Sequence, residues 1–254
     1  MTGLFVSQSS NVLVERSVFT DTGYHGLLTL GTTEHTNLTV TNNYFDGVGI
    51  SRYWETNAIF SSGARNVLIA NNEITRSSGG AMMVLSDEKG KNHDDPDEFV
   101  INIEYNYVHD FGVGITNDFG GIKTGSKGPQ CDGGTEAWLE ERCYSYIRVY
   151  NNLVRDGWPY LCCANFLYSD VSSSGNLFQN NIVHGSGSVA LVHHCGLDNE
   201  SRNNIVHREA QPDNHQVWSM ECSLTKLNNY HIIRTPCTQS GVYVRRTRAS
   251  TSPS

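Results

Sequence analysis

Several protein classes are excluded by what the sequence lacks. It contains no run of about 18 consecutive apolar residues, so it offers no helix that could cross a membrane. It also has no basic excess, because 18 Lys and Arg residues stand against 26 Asp and Glu residues, a formal charge of −8. A partner rich in phosphate, such as nucleic acid, would favour the opposite sign. We therefore expect neither a membrane nor nucleic acid among the partners of this chain.

Signals for a metal or a compartment are sparse as well. The seven cysteines form no CxxC pair, so their spacing gives no support for a zinc site, and we predict no resident metal ion. The N-terminus lacks the basic segment and the long apolar stretch of a secretory signal. Sequons at Asn37 and Asn199 would nevertheless permit glycosylation. We expect an extracellular or secretory-pathway protein, and the strand-like start without a polar cap suggests a fragment of a longer chain.

An internal repeat dominates what the sequence does contain. Short runs that alternate apolar and polar residues lead into an Asn pair or a variant of it. The copies read VLVERSVF, LTVTNNYF, VLIANNEI, INIEYNYV, IRVYNNLV, LFQNNIV, SRNNIV and TKLNNYHI. The second residue of each pair falls at Arg16, Asn43, Asn72, Asn106, Asn152, Asn181, Asn204 and Asn229. Alternation with period 2 predicts strands rather than helices.

Strands that end in a sharp turn at this repeat length predict an all-β, right-handed parallel β-helix of about eight coils. Asn suits one turn of every coil because it tolerates a left-handed φ and can stack its amide on the next coil. We predict one repeat domain over residues 1–243, with loop insertions near 86–98 and 126–145 where the repeat interval is longest. Residues 244–254 are predicted to form a disordered tail.

Asp118, Asp170 and His193 are predicted to share one column of this solenoid. Asp118 lies 12 residues after Asn106, just as His193 lies 12 residues after Asn181, and Asp170 matches His193 when both are counted back from the following Asn. Coils are about 4.8 Å apart, so the carboxylates would be about 5 Å apart, as in retaining glycosidases. One carboxyl would then keep its proton as the acid while the other stays ionised. In the alternative interpretation both residues only cap turns.

Three segments resemble successive motifs of glycoside hydrolase family 141. They read NYVHDFGVGITNDFGGIKTG, NFLYSDVSSSGNLFQNNIV and ALVHHCGLDNESRNNIV. The matching positions are Asn106, His109, Asp110, Asp118, Gly120, Gly121, Ile122, Thr124, Tyr168, Asp170, Ser173, Ser174, His194, Gly196, Asp198, Asn199, Asn203 and Asn204. The resemblance implies a pectin-lyase-like β-helix that acts on fucose-containing or xylan-type polysaccharides. It also implies that the catalytic pair is Asp118 and Asp170. It is strongest over residues 100–207, and Lys123 departs from it because the family usually has Tyr there.

The remaining candidate residues are expected to line the groove that binds the polysaccharide. They are His193, His194, Tyr168, Trp158, Lys123 and His109. No cofactor is expected for a hydrolase, and we expect a monomer. A polysaccharide lyase or uronate epimerase is the alternative, in which Lys123, Arg155 and His109 could serve in proton abstraction and the two aspartates would hold a metal such as Ca²⁺. A third interpretation is a β-helix that binds glycans without cleaving them.

Overall fold

The chain winds into a parallel β-helix. The computed structural model describes residues 1–31, 36–51, 56–63, 65–86, 101–115, 118–126, 145–158, 164–170, 173–194, 199–208, 216–219 and 231–233. In these ranges 23 strands form three parallel sheets, here named A, B and C, and each coil contributes strands to them in that order. The predicted insertions and tail fall outside the described ranges, apart from residues 86, 126 and 145 at the edges of the insertions.

Sheet A has eight strands, one from each coil. They are β1 (Leu4–Ser7), β4 (Leu27–Leu30), β7 (Asn57–Ser62), β10 (Gly80–Ser86), β13 (Phe119–Ser126), β16 (Ala164–Ser169), β19 (Val189–His193) and β22 (Gln216–Ser219). Its inner face is apolar and fully buried at Ile59, Met82 and Ile122, which follow one another in register on coils 3 to 5.

Sheet B also has eight strands. They are β2 (Val12–Glu15), β5 (Thr36–Thr41), β8 (Arg65–Ala70), β11 (Ile101–Glu104), β14 (Ile147–Tyr150), β17 (Leu177–Gln179), β20 (Glu200–Arg202) and β23 (His231–Ile233). Ile69, Ile103 and Val149 stack in register on its inner face and are fully buried. This stack explains the period-2 pattern, because every second residue of a strand faces the core.

Sheet C has seven strands and completes the wall of the solenoid. They are β3 (Val18–Thr20), β6 (Tyr44–Asp46), β9 (Glu73–Thr75), β12 (Tyr107–Phe111), β15 (Leu153–Gly157), β18 (Ile182–Gly185) and β21 (Ile205–Arg208). Parallel strands joined by crossovers are right-handed in nearly all proteins. The predicted right-handed parallel β-helix of about eight coils is confirmed.

The Asn pairs divide two tasks between their members. The first residue takes a left-handed φ near +55°, as at Asn71 and Asn151, and makes the corner between sheets B and C. The second is buried, and its side chain joins the next coil. Asn106, for example, donates hydrogen bonds from its backbone N and its Nδ2 to Oδ1 of Asn152, at 2.9 and 3.0 Å. The same pattern runs through Asn43, Asn72, Asn106, Asn152, Asn181 and Asn204.

The prediction for the first coil was one residue off. Ser17, not Arg16, donates its backbone N–H to Oδ1 of Asn43, at 3.0 Å. Arg16 takes the left-handed position with φ of +49°. Neither residue is Asn, so the sequence offered no pair from which to choose the register. Asn229 lies outside the described residues.

Candidate active site

The outer face of sheet A changes character along the solenoid. One outward column runs in register through Phe5, Leu28, Phe60, Met83, Lys123, Tyr168 and Val192. It is apolar on coils 1 to 4 and becomes charged at coil 5. Gly120 opens the surface next to the charged part, because a Cβ there would lie 3.2 Å from Cβ of Lys123 and 3.3 Å from Cβ of Tyr168.

The amine of Lys123 stands between two carboxylates. Its Nζ lies 2.8 Å from Oδ2 of Asp170 and 3.5 Å from Oδ2 of Asp118. The two carboxylate oxygens are therefore no farther apart than the sum of 2.8 Å and 3.5 Å, which is 6.3 Å. The same amine donates a hydrogen bond to the Asp118 carbonyl oxygen at 3.3 Å and lies 4.7 Å from the centre of the Tyr168 ring. Lys123 is only 7% exposed, so its charge is satisfied mainly by these groups.

The two aspartates sit in different surroundings. Asp118 precedes β13 in a left-handed turn with φ of +53°, and its side chain is 64% exposed. Asp170 follows β16, and its backbone N–H donates a hydrogen bond to the Thr124 carbonyl oxygen at 2.9 Å. Its side chain is 24% exposed. One carboxylate thus faces solvent while the other is held close to the sheet.

Tyr168 and His194 complete the cluster around Asp170. The Tyr168 hydroxyl and Oδ1 of Asp170 each lie 3.4 Å from Nδ1 of His194. Burial raises the pKa of Tyr168 well above its ordinary value, and the negative charges of Asp170 and Asp118 raise it further. Tyr168 therefore stays a neutral phenol that can donate a hydrogen bond.

The predicted register of the aspartate column was wrong. Thr124 pairs with Ser169, so Asp170 continues the register opposite Gly125 and not opposite Asp118. The reason is the turn from sheet C to sheet A, which spans residues 112–118 before β13 but only 186–188 before β19. Counting from the Asn positions assumes equal turns. The two carboxylates are still close to each other, because the Lys123 amine contacts both Asp118 and Asp170.

His193 does not line the groove. Its register partner is Ser169, on the inner face, and its side chain is 1% exposed. Its Nε2 lies 2.8 Å from Oγ of Ser201, and its ring stacks on Phe178 with centroids 4.9 Å apart. Burial lowers the pKa of His193 to about 3 from its ordinary 6.5. His193 is thus a neutral part of the core, and its neighbour His194 is the one that reaches the site.

The buried imidazole makes stability sensitive to acid. The unfolded chain binds a proton at His193 below pH 6.5 while the folded chain does not until about pH 3. Stability therefore falls as the pH drops through this window, by up to about 1.4 kcal/mol per pH unit from this group. In urea unfolding measured between pH 7 and pH 4.5, we expect the free energy of unfolding of His193→Gln to fall less with acid, because the contribution of His193 is gone. His207→Gln is the control, because His207 is exposed and its replacement should leave the acid sensitivity of stability unchanged. Equal acid sensitivity in His193→Gln and the unchanged protein would contradict the prediction.

His109 and Trp158 belong to a second cluster, at the C-terminal ends of the neighbouring strands β12 and β15 of sheet C. Asp110 joins them, with one carboxylate oxygen 2.8 Å from Nδ1 of His109 and the other accepting a hydrogen bond from Nε1 of Trp158 at 3.3 Å. Burial alone would raise the pKa of Asp110, but these hydrogen bonds bring it below its ordinary value. Trp158 is 52% exposed. The sequence grouped both residues with the aspartate pair, whereas both contact Asp110, and His109 also lies 3.4 Å from Oε1 of Glu73.

A groove beside the outer column of sheet A was not found from the sequence. Its volume is about 450 Å³, and it extends from Leu28 to Asp118 and Lys123. Its walls include Tyr24, His25 and Phe60. The outward positions of β4, β7 and β10 could have revealed it, because apolar residues recur there at positions expected to face solvent. Across the described ranges, no three His, Cys, Asp or Glu side chains are placed to hold one metal ion.

Comparison with known proteins gives one match. The family model for the right-handed β-helix region matches residues 1–128, which is half of the chain and includes Asp118 and Lys123. Neither a curated protein nor a solved structure matches the chain. In the part of the chain that the structure describes, no helix is long and apolar enough to span a membrane.

Proposed function

Since the chain belongs to the right-handed β-helix family, whose members occur among pectin-lyase-like carbohydrate-active proteins, we propose that it is a glycoside hydrolase that cleaves a polysaccharide. The observation that carries the proposal is the pair of carboxylates on one ammonium group, with oxygens within the 6.3 Å given by 2.8 Å plus 3.5 Å. Retaining glycosidases hold their two carboxyl groups about 5 to 5.5 Å apart, and inverting ones about 6.5 to 9.5 Å. The upper limit of 6.3 Å, from 2.8 Å plus 3.5 Å, on the distance between the two Oδ2 atoms lies below the inverting range, so it favours the retaining reaction.

The surroundings of each carboxylate suggest its role. Asp170 is paired with the Lys123 ammonium at 2.8 Å and approached by His194 at 3.4 Å, contacts that favour an ionised carboxylate. It would attack the anomeric carbon and form the glycosyl–enzyme bond as the leaving oxygen departs. Asp118, more exposed and farther from the ammonium, would give its proton to that oxygen. In the second step Asp118 would take a proton from the water that cleaves the glycosyl–enzyme bond.

The resemblance to glycoside hydrolase family 141 supports the same pair and suggests the substrate class. It suggests fucose-containing or xylan-type polysaccharides, and such polymers would place the protein outside the cell or in the secretory pathway. Tyr168 would donate a hydrogen bond to a sugar hydroxyl, because its phenol stays neutral beside the two aspartates. Lys123, which replaces the usual Tyr, would hold the carboxylates rather than the sugar.

The placement of Lys123 also bears on the lyase or epimerase alternative. A lyase needs Lys123 as an unprotonated base, free to take a proton from the sugar ring. The Lys123 amine is instead buried and paired with both carboxylates, at 2.8 and 3.5 Å, so it is not free to approach a sugar ring. The same amine occupies the space where Ca²⁺ would have to meet both aspartates. Hydrolysis is therefore the reaction that this arrangement favours.

Variants at Lys123 test this proposal. We expect Lys123→Met to lower kcat about 100-fold, because the two carboxyl groups lose the amine that holds both of them and the reacting groups are misplaced. Lys123→Arg should keep more activity, since it restores the positive charge. Activity is read as new reducing ends on neutral and uronate polysaccharides, with the ultraviolet absorbance of unsaturated uronates recorded in parallel. Absorbance that rises with the reducing ends and disappears in both variants would assign Lys123 as a lyase base and overturn the proposal.

A further inference from the structure

The groove on sheet A leads directly to the aspartate pair. It lies between the outer column of coils 2 to 4, with Leu28, Phe60 and Met83, and the turns that enter sheet A. From Leu28 to Lys123 it spans three strand spacings, about 14 Å, along the axis of the solenoid. This length fits a short oligosaccharide that lies parallel to the axis with one end at the carboxylates.

The wall of this groove is aromatic. His25 lies against Tyr24 with ring centroids 3.9 Å apart, and against Phe60 with centroids 5.1 Å apart. His25 is 2% exposed, and its Nδ1 accepts a hydrogen bond from the Asn57 backbone N–H at 3.1 Å. The three rings form one continuous surface whose outer parts, Tyr24 and Phe60, are partly exposed. Aromatic faces of this kind pack against the C–H faces of sugar rings.

Glycines keep the floor of the groove low. A Cβ on Gly80 would lie 2.6 Å from Oδ1 of Asn57 and 2.8 Å from the Gly120 carbonyl oxygen. A Cβ on Gly79 would lie 2.3 Å from the Thr56 carbonyl oxygen. No side chain fits at these positions without displacing those oxygens, so the backbone packs closely along this part of the groove.

The charges along the groove favour an uncharged ligand. Among its lining residues, all of which are described, only Asp118 and Lys123 carry a formal charge, and both lie at the catalytic end. The positive charge of Lys123 is already opposed by Asp118 and Asp170, so this end carries a net negative charge when all three are ionised. A uronate carboxylate would therefore find no free cation among the residues that line the groove.

We infer that this groove binds a neutral glycan chain, and that Phe60 and Met83 select neutral over uronate sugars in the reaction proposed above. This inference rests on the proposed function for the direction of the chain, since the bond to be cleaved would lie at Asp118 and Asp170. The neutral sugars would pack one face on Phe60 and Met83.

Calorimetric titration tests this inference on the full chain with Asp118→Asn, which prevents turnover. The probes are xylohexaose, cellohexaose and mannohexaose as neutral chains and hexagalacturonate as the anionic chain. We expect at least one neutral probe to bind about tenfold more tightly than hexagalacturonate. Phe60→Ala should weaken that binding about tenfold. Leu13→Ala, which removes a 58% exposed apolar side chain from sheet B, should leave it unchanged.

A charge variant gives an independent readout. Met83→Lys places a cation in the middle of the groove and should shift the preference toward hexagalacturonate. Three results would overturn the inference. The first is that the protein with Phe60 and Met83 intact binds hexagalacturonate more tightly than every neutral probe. The others are that it binds no neutral probe, or that Phe60→Ala leaves the affinity for the neutral probe unchanged.

The two proposals fail in different ways. Binding of a glycan in the groove without any hydrolysis that depends on Asp118 would rule out the proposed hydrolase activity but keep the proposed glycan-binding site. Hydrolysis that depends on Asp118 and Asp170 but is unchanged in Phe60→Ala would support the hydrolase and rule out the proposed glycan site in the groove.

Discussion

Asp118→Asn and Asp170→Asn are each expected to lower kcat/KM on the polysaccharide substrate by about 1,000-fold or more. Removing the nucleophile or the acid of a glycosidase removes a group that acts in the transition state. Asn has nearly the shape of Asp, so the fold should be unaffected. In Asp118→Asn this also holds for the backbone, because Asn tolerates the left-handed φ of +53°. The measurement is steady-state release of reducing ends by purified variants with unchanged circular dichroism.

The two variants should differ on a substrate with a good leaving group. An aryl glycoside that releases an acidic phenol needs little proton donation, so Asp118→Asn should recover much of its activity on it. Asp170→Asn should not recover, because the bond to the anomeric carbon still cannot form. Asp156→Asn is the matched control, since Asp156 also has a left-handed φ, of +52°, but pairs with Arg155 on sheet C. Full activity of either active-site variant, or an equal loss in Asp156→Asn, would contradict the assignment.

Asn152→Ala is expected to destabilise the protein by about 3 to 5 kcal/mol. Asn152 is 1% exposed, and its Oδ1 accepts from the backbone N–H and the Nδ2 of Asn106 at 2.9 and 3.0 Å. Its Nδ2 donates to the Ile103 carbonyl oxygen at 2.9 Å and to Oδ1 of Asn181 at 3.0 Å. Alanine removes the partner of the Asn106 backbone N–H and one hydrogen bond each from Nδ2 of Asn106, the Ile103 carbonyl oxygen and Oδ1 of Asn181. A buried polar group that loses its partner costs about 1 to 3 kcal/mol.

Urea unfolding followed by circular dichroism measures this loss. Asn203→Gly is the control, because it removes an exposed amide that makes one hydrogen bond to Asn180 at 3.1 Å. Glycine accepts the left-handed φ of +57° at that position, so the change should cost less than about 0.5 kcal/mol. A similar loss in both variants would show that the buried Asn column adds nothing beyond an ordinary surface contact.

The fold could be predicted because its sequence signal repeats. Buried Asn side chains must find partners on the adjacent coil, so the same residue recurs at the same corner of successive coils. The period-2 runs beside them fixed the strands of sheet B. The register of the first coil was not predicted correctly because Arg16 and Ser17 stand in place of the Asn pair. The hydrogen bond from the Ser17 backbone N–H to Asn43 reveals the register.

The site could be predicted only in part, because its positions depend on turns of unequal length. Asp118 and Asp170 were correctly placed near each other, but on a register that the structure contradicts. His193 was misplaced because a shorter turn before β19 directs it inward, to Ser201 and Phe178. The role of Lys123 depends on a side chain that reaches across the sheet, which no spacing in the sequence encodes.

We propose that this β-helix hydrolyses a polysaccharide with retention, through Asp118 and Asp170. Proton NMR of the products, recorded during separate digestions of a neutral and a uronate oligosaccharide, decides between retaining hydrolysis, inverting hydrolysis and elimination. The first anomer released reports the stereochemistry of hydrolysis, and vinyl protons in the uronate digest report elimination. We expect a first product of retained configuration and no vinyl signals, and neither aspartate variant should form this product. An inverted first product, vinyl signals, or no cleavage of any neutral oligosaccharide by the folded protein would contradict it.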